Sequence, residues 1–148
     1  MRKTKVCYVL CAVLLSGCVP HGSTPSVSTS QDALQQGLSF LRSGQLDAAS
    51  KHFRSMQVLK GENVSALLGL AIAADLTGDF RTSEKAYKRV EGRGSSTAMY
   101  LNNVGYSAML QGDLEKAYTY LRQAKAIDPK NQVVQGNLEL LKNVLPRP

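Results

Sequence analysis

The stretch GDLEKAYTYLRQAKAIDPKN, Gly112 to Asn131, decides the fold because two earlier segments of the chain repeat its pattern. GQLDAASKHFRSM begins at Gly44, and GDFRTSEKAYKRV begins at Gly78. The leading glycines lie 34 residues apart in both intervals. A constant period of this length is typical of repeat proteins, in which each repeat is one supersecondary unit that stacks on its neighbour.

The repeats agree at further positions, and each position has a mechanical role. A small residue seven positions before the glycine and another five positions after it let two helices approach closely. A bulky residue nine positions after the glycine fills the gap to the next repeat, and the glycine can adopt the left-handed conformation that ends a helix. The small residues are Gly37, Ala71 and Gly105 before the glycines and Ala49, Ser83 and Ala117 after them, and the bulky residues are Phe53, Tyr87 and Leu121.

These positions resemble the tetratricopeptide-repeat pattern, which covers residues 31–130. The resemblance implies an all-α fold, a tetratricopeptide-repeat solenoid of three helical hairpins with a C-terminal capping helix. Pro129 ends the sixth helix, because the residue before a proline disfavours the α region. The expected domain is 31–148, with repeats at about 31–62, 64–96 and 98–130, a cap at 131–145, and helices near 32–43, 46–59, 63–77, 80–91, 97–111 and 114–127.

The segment that follows the third repeat, NQVVQGNLELLKNVL, has apolar residues at helical spacing and predicts the capping helix. A solenoid needs an end cap with a polar outer face, so Glu139 and Lys142 are expected to face outward. The acidic residues Asp79, Asp113 and Asp128 lie at turns, where we expect them to cap helices.

The N-terminus has the features of a bacterial lipoprotein signal. MRKTK is basic, and the ten apolar residues from Val6 to Leu15 suit a secretory signal but are too short for a membrane-spanning helix, which needs about 20 residues. LLSGC, Leu14 to Cys18, resembles the lipobox of bacterial lipoproteins, which implies removal of residues 1–17 and acylation of Cys18, with palmitate among the chains. Stable anchoring takes more than one chain, because each buried methylene contributes only about 0.8 kcal/mol. An ordinary secretory signal that happens to contain a cysteine is the alternative.

Cleavage before Cys18 also sets the chemistry of the mature chain. Cys7 and Cys11 would leave with the signal, so one cysteine remains and no internal disulfide can form. Position 19 is Val rather than the Asp that often keeps bacterial lipoproteins in the inner membrane. This resemblance implies that the protein lies at the periplasmic face of the outer membrane. Residues 18–30 are expected to form a disordered tether, because they are rich in Ser, Thr and Pro and lack periodic apolar residues.

In the tetratricopeptide family, the first helix of each hairpin lines a concave groove that binds a protein partner. The groove positions carried over onto this sequence are mostly apolar, which favours a hydrophobic binding surface, although several of them could instead be core residues. The basic residues with which chaperone-binding members clamp a peptide carboxylate are missing here. The expected ligand is therefore an amphipathic helix or an extended apolar segment, and Asn103 is assigned to helix packing. The residues of this partner-binding groove are Leu34, Leu38, Leu41, Leu68, Ile72, Asp75, Met99, Asn102, Tyr106 and Met109.

The sequence lacks the residue patterns of catalysis and of metal or nucleic-acid binding. Neither His21 nor His52 has a second ligand at a metal-like spacing, and no GxSxG elbow or phosphate-binding loop is present. The formal charge is +7, but without Arg2, Lys3 and Lys5 of the signal 15 basic residues face 11 acidic ones, a balance of +4. No basic stripe interleaved with aromatic residues accompanies this charge. The chain is therefore expected to be no enzyme, to hold no cofactor or metal, and to bind no nucleic acid.

The segment YLNNVGYSAMLQGDLEKAYTYLRQAKAIDPKNQVVQGNLELL, Tyr100 to Leu141, resembles the TadD-like tetratricopeptide lipoproteins, pilotin-type assembly factors of the Tad (Flp) pilus. The pair Asn102-Asn103 and the later pair Asn137-Leu138 carry the resemblance. It implies an outer-membrane lipoprotein that binds the membrane through its lipid and binds a secretin subunit or another pilus component through its groove. The alternatives are a periplasmic scaffold that regulates cell-wall enzymes and a general outer-membrane protein assembly subunit.

Overall fold

The computed structural model describes the backbone of residues 25–60, 63–91, 93 and 97–144, and the side chains of these residues outside 25–30 and 57–60. This part of the chain contains seven helices and no strand. The chain forms two compact units. The first ends at Ala86 and the second begins at Tyr87, so the border lies within the fourth helix. The helices are α1 Pro25–Arg42, α2 Leu46–Lys60, α3 Val64–Thr77, α4 Phe80–Glu91, α5 Ala98–Leu110, α6 Leu114–Ile127 and α7 Gln132–Val144.

The N-terminus of α1 is the one helix end that departs from the prediction by more than a residue. This helix begins at Pro25, within the segment 18–30 predicted to be a tether, rather than near residue 32. Proline suits the first turn of a helix, because its missing N–H would have no partner there in any case. The predicted signal peptide and Cys18 lie outside the described residues.

The turn between the two helices of a repeat has the same construction each time. Gly44, Gly78 and Gly112 have φ of 72°, 78° and 80°, the left-handed conformation predicted for them. At Gly78 the backbone N–H donates to the Asp75 carbonyl over 3.1 Å, and the Asp79 N–H donates to the Ala74 carbonyl over 2.9 Å. The Asp79 side chain then begins α4, because its Oδ1 accepts from the Thr82 backbone N–H at 3.2 Å.

Asp128 caps the end of α6, as its backbone N–H donates to the Ala124 carbonyl over 3.0 Å. Asp113 caps the start of the same helix, since its Oδ1 accepts from the Lys116 N–H at 3.1 Å. At the start of α7 it is Asn131 whose Oδ1 accepts from the Val133 N–H at 3.1 Å. Asp128 also accepts from the Asn131 side-chain amide at 3.1 Å and so orients the capping residue. The predicted capping by Asp128 therefore occurs at the end of α6, and Asn131 caps the start of α7.

Two glycine-to-alanine substitutions are expected to change stability in opposite directions. Gly78→Ala should lower the free energy of unfolding by about 1–2 kcal/mol, the cost of a left-handed conformation for a residue with a Cβ. The added methyl meets no atom within 4 Å, so steric overlap does not add to this cost. Gly136→Ala, within α7, also meets no atom within 4 Å and should raise the free energy of unfolding by about 0.5–1 kcal/mol, since alanine favours the helix. Urea denaturation followed by circular dichroism measures both. A loss at Gly136 or a gain at Gly78 would contradict the assigned backbone conformations.

The first unit is packed around Phe53 of α2, which is fully buried. Its ring lies between two glycines: a Cβ on Gly37 of α1 would come 2.5 Å from Phe53 Cε1, and one on Gly69 of α3 would come 2.6 Å from the same atom. His52 Nε2 donates to the Ala33 carbonyl over 2.6 Å, which joins α2 to α1. Phe53 thus fills the gap to the next repeat, as predicted. The buried members of this Phe53 cluster are Leu38, Ala49, Phe53, Met56, Ala66, Leu70 and Ala73.

The second unit repeats this arrangement with Leu121 of α6, which is also fully buried. A Cβ on Gly105 of α5 would come 2.8 Å from Leu121 Cγ and 3.2 Å from the Ala117 carbonyl oxygen. The predicted role of Gly105 and Ala117, the close approach of two helices, is therefore confirmed. The buried members of this Leu121 cluster are Ala108, Ala117, Leu121 and Leu141, so that α7 joins the same core.

Two tyrosines of the second unit, Tyr87 of α4 and Tyr100 of α5, pack edge to face. The ring centroids of Tyr87 and Tyr100 lie 6.2 Å apart at 78°. Burial raises the pKa of Tyr100 to about 12, and the charges of Glu91 and Tyr120 add to the shift. The folded protein therefore favours the neutral phenol. The preference of the folded state for the neutral phenol leaves the free energy of unfolding unchanged below about pH 10, the ordinary pKa of tyrosine. Above that pH the free energy of unfolding falls as the pH rises toward 12.

Candidate partner-binding surface

The three predicted groove residues of α1 lie along the Phe53 cluster. Leu38 belongs to that cluster and is only 3% exposed, whereas Leu34 and Leu41 pack against it and remain partly exposed. The alternative that the sequence left open, a core role, therefore describes Leu38. Of the three, Leu34 and Leu41 have the surface that a partner could contact.

The predicted groove residues of α3 are all buried. Leu68, Ile72 and Asp75 are 5%, 6% and 5% exposed, within a continuous buried run from Ala66 to Asp75. A helix that is apolar on every side is typical of a core helix rather than of a surface helix with one buried face. In this structure these three side chains contribute to packing, and a partner would have to displace neighbouring atoms to reach them.

The predicted groove residues of α5 divide in the same way. Asn102 and Tyr106 are each 4% exposed, whereas Met99 near the start of the helix and Met109 near its end are partly exposed. Met109 packs against the Leu121 cluster. Methionine adapts its shape to irregular apolar surfaces, so these two side chains suit an apolar ligand.

A buried amide network explains why Asn102 is inaccessible. The Asn137 Nδ2 of α7 donates to Asn102 Oδ1 over 2.8 Å, and Asn102 Nδ2 donates to Asn103 Oδ1 over 3.5 Å. All three residues are at most 4% exposed. Asn103 therefore lies in helix packing, as predicted. Asn137 received no role from the sequence, although its distance of 34 residues from Asn103 places it at the same position of the repeat.

Replacing Asn137 by alanine is expected to lower the free energy of unfolding by about 1–3 kcal/mol, because the Asn102 carbonyl oxygen would be left buried without a donor. Gln135→Ala is the matched control: its Nε2 also donates over 2.8 Å, to the Pro129 carbonyl, but at an exposed site. Loss of that bond should cost less than about 0.5 kcal/mol, as for most surface substitutions. Equal losses in urea denaturation would contradict the buried network.

Two features are absent from the described residues. Among them, no three or more His, Cys, Asp and Glu side chains form a group that could hold a metal ion. No helix in the same part of the chain combines the length and the apolarity needed to span a membrane.

Comparisons with known proteins agree with the repeat. Residues 68–132 match the family model for the tetratricopeptide repeat. Among solved structures, the chain is similar to the crystal structure of PcrH from Pseudomonas aeruginosa, with a TM-score of 0.68 and 18% sequence identity over 82% of this chain and 95% of PcrH. A search of curated protein sequences found no match. The chain therefore has the predicted all-α fold of the tetratricopeptide type, and this fold indicates a role in protein–protein interaction.

Proposed function

We propose that the protein is an outer-membrane lipoprotein that acts as a pilotin for the secretin of a Tad/Flp pilus, and that it has no catalytic activity. The observation that carries the binding role is the partial exposure of four apolar side chains on the first helices of tetratricopeptide hairpins. The lipobox that ends at Cys18 and the resemblance of residues 100–141 to TadD-like lipoproteins support the finer assignment. The four partly exposed side chains are Leu34, Leu41, Met99 and Met109.

The proposed mechanism is capture by a tethered binding module. Acyl chains on Cys18 hold the protein at the periplasmic face of the outer membrane, where secretin subunits must assemble. The exposed apolar side chains of α1 in the first unit, or those of α5 in the second, cover an apolar segment of a subunit and prevent its aggregation. Because both proteins are held at one membrane surface, their effective concentration rises without any additional contact.

A pull-down from solubilised membranes tests the binding surface. Leu34→Glu with Leu41→Glu places two charges at partly exposed apolar positions of α1, and recovery of the secretin should fall at least tenfold. Gln36→Glu with Ser39→Glu is the control, since it places the same charges at exposed polar positions of the same helix. Both variants should keep the helical circular-dichroism spectrum of the wild type. Equal recovery of the secretin by both variants would contradict the proposed surface.

The lipid anchor has its own test, because Cys18 lies outside the described residues. Cells grown with radiolabelled palmitate should label the wild-type protein and not a Cys18→Ser variant. The labelled protein should sediment with the outer membrane. An unlabelled wild-type protein would contradict the anchor while leaving the binding surface to be judged by the pull-down.

The runner-up function is a scaffold for cell-wall enzymes, which the sequence leaves open. Deletion of the gene separates the two: loss of secretin multimers with unchanged muropeptides supports the pilotin, and changed muropeptides with a normal secretin support the scaffold.

A further inference from the structure

A cleft between α6 and α7 of the second unit has no role in the proposed function. Its volume is about 600 Å³. Tyr118, Arg122 and Lys125 line it from α6, and Leu138, Glu139 and Lys142 line it from α7. Tyr118 is 49% exposed, which is high for an aromatic side chain. We call this surface the α6–α7 cleft.

The repeat shows why this cleft lies where a helix would pack. Positions 34 residues before Glu139 and Lys142 are Gly105 and Ala108 of α5. Both are buried, and Ala108 lies in the Leu121 cluster with residues of α6. The corresponding face of α7 thus occupies the position against which a second helix rests in the preceding hairpin. Because a longer, charged side chain replaces each small one, a helix that rests there lies farther from α7 than α6 lies from α5.

The charges of the α6–α7 cleft favour an acidic occupant. The lining contains three basic side chains and one acidic side chain, which is Glu139. The basic side chains are Arg122, Lys125 and Lys142. The Lys142–Glu139 pair is 4.0 Å apart and both side chains are well exposed, so it contributes little. The Arg122 guanidinium lies 5.8 Å from the centroid of the Tyr118 ring, which holds the cation beside an apolar surface.

We infer that the α6–α7 cleft binds an acidic amphipathic helix of another protein, whose apolar face rests on Tyr118 and Leu138 and whose carboxylates pair with Arg122 and Lys125. A second copy of this chain does not supply such a helix from the described residues. Each described helix with an exposed Asp or Glu also carries at least as many Lys and Arg. The inference depends neither on the lipid anchor nor on the partner-binding groove of α1, α3 and α5.

Binding of two designed peptides to the full-length mature chain tests this inference. The probe is an acetylated, amidated 18-residue helix with leucine on one face and glutamate beside it, and the matched peptide has lysine for every glutamate. The wild type should bind the glutamate peptide at least tenfold more tightly than the lysine peptide. Arg122→Glu with Lys125→Glu should weaken that binding at least tenfold. Lys85→Glu with Lys88→Glu, the same charge change on α4, should weaken it less than twofold.

Four results would overturn the inference. They are equal binding of the two peptides, equal weakening by the two double variants, no binding of the glutamate peptide at 1 mM, and a wild-type dimer that Arg122→Glu with Lys125→Glu dissociates in sedimentation. Vesicles that contain phosphatidylglycerol test the other possible occupant of a basic surface, an anionic membrane. Vesicle binding that depends on Arg122 and Lys125, without peptide binding, would assign the cleft to the membrane instead. Circular dichroism of each variant excludes unfolding as the cause of a loss.

Discussion

Replacing Phe53 by alanine is expected to lower the free energy of unfolding by about 3–5 kcal/mol, the usual range for deletion of a buried aromatic side chain. Phe53 is fully buried, and its ring rests on Gly37 and Gly69 of the two flanking helices. Neither glycine has a side chain that could fill the cavity. Urea denaturation measures the loss, and a change below about 1 kcal/mol would contradict the packing of the first unit around this ring.

The contact between Gly69 and the Phe53 ring can be tested separately by combining substitutions at the two positions. Gly69→Ala alone is expected to cost about 1–3 kcal/mol, because the new methyl overlaps the ring. The three atoms nearest to that methyl all belong to the Phe53 side chain. In a Phe53→Leu background, which lacks the outer ring atoms, the same substitution should cost less than about 1 kcal/mol. Additive costs would show that some other atom opposes the methyl.

Leu121→Ala is expected to be the second large loss, about 2–5 kcal/mol, because a fully buried leucine leaves a cavity when it is shortened. Tyr118→Ala, one turn away on α6 but 49% exposed, is the matched control and should cost less than about 1 kcal/mol. Both variants are compared with the wild type by urea denaturation. Similar losses for the two would contradict the assignment of Leu121 to the core of the second unit.

Gly105→Ala should differ from Gly69→Ala in the extent to which a smaller neighbour rescues it. The added methyl at Gly105 would meet Leu121 Cγ at 2.8 Å and also the Ala117 carbonyl oxygen at 3.2 Å. A backbone oxygen cannot retreat as a side chain can. Leu121→Ala should therefore relieve only part of the cost of Gly105→Ala. Complete relief would show that the helices of the third hairpin approach less closely than the distances indicate.

The repeat predicted most of the fold because its signals are local. A left-handed glycine such as Gly78 and a helix-ending Pro129 act within one turn, so a 34-residue period places the helix ends within a residue. The start of α1 at Pro25 lacked such a signal, because the residues before it have a polar, proline-containing composition that is also typical of tethers. The role of Gly69 was missed because the packing of Phe53 against it joins two repeats.

The binding surface was predicted less completely, since an apolar residue looks the same in a core and in a groove. Ile72 and Leu68 lie on a helix that is apolar all round, so periodicity could not indicate which side is exposed. Burial now separates Leu41 and Met109, which a partner could reach, from these residues. The hydrogen bond from Asn137 of α7 to Asn102 of α5 joins two residues 35 positions apart in sequence and had no local signal beyond the repeat itself.

The amount of detergent-resistant secretin multimer in the outer membrane tests the central claim most directly. Cells that lack the gene should contain secretin monomers but few multimers. Wild-type protein should restore the multimers, whereas a Cys18→Ser protein that accumulates to the same level should not. Normal multimers in the Cys18→Ser cells, or in cells without the protein, would contradict a lipid-anchored pilotin.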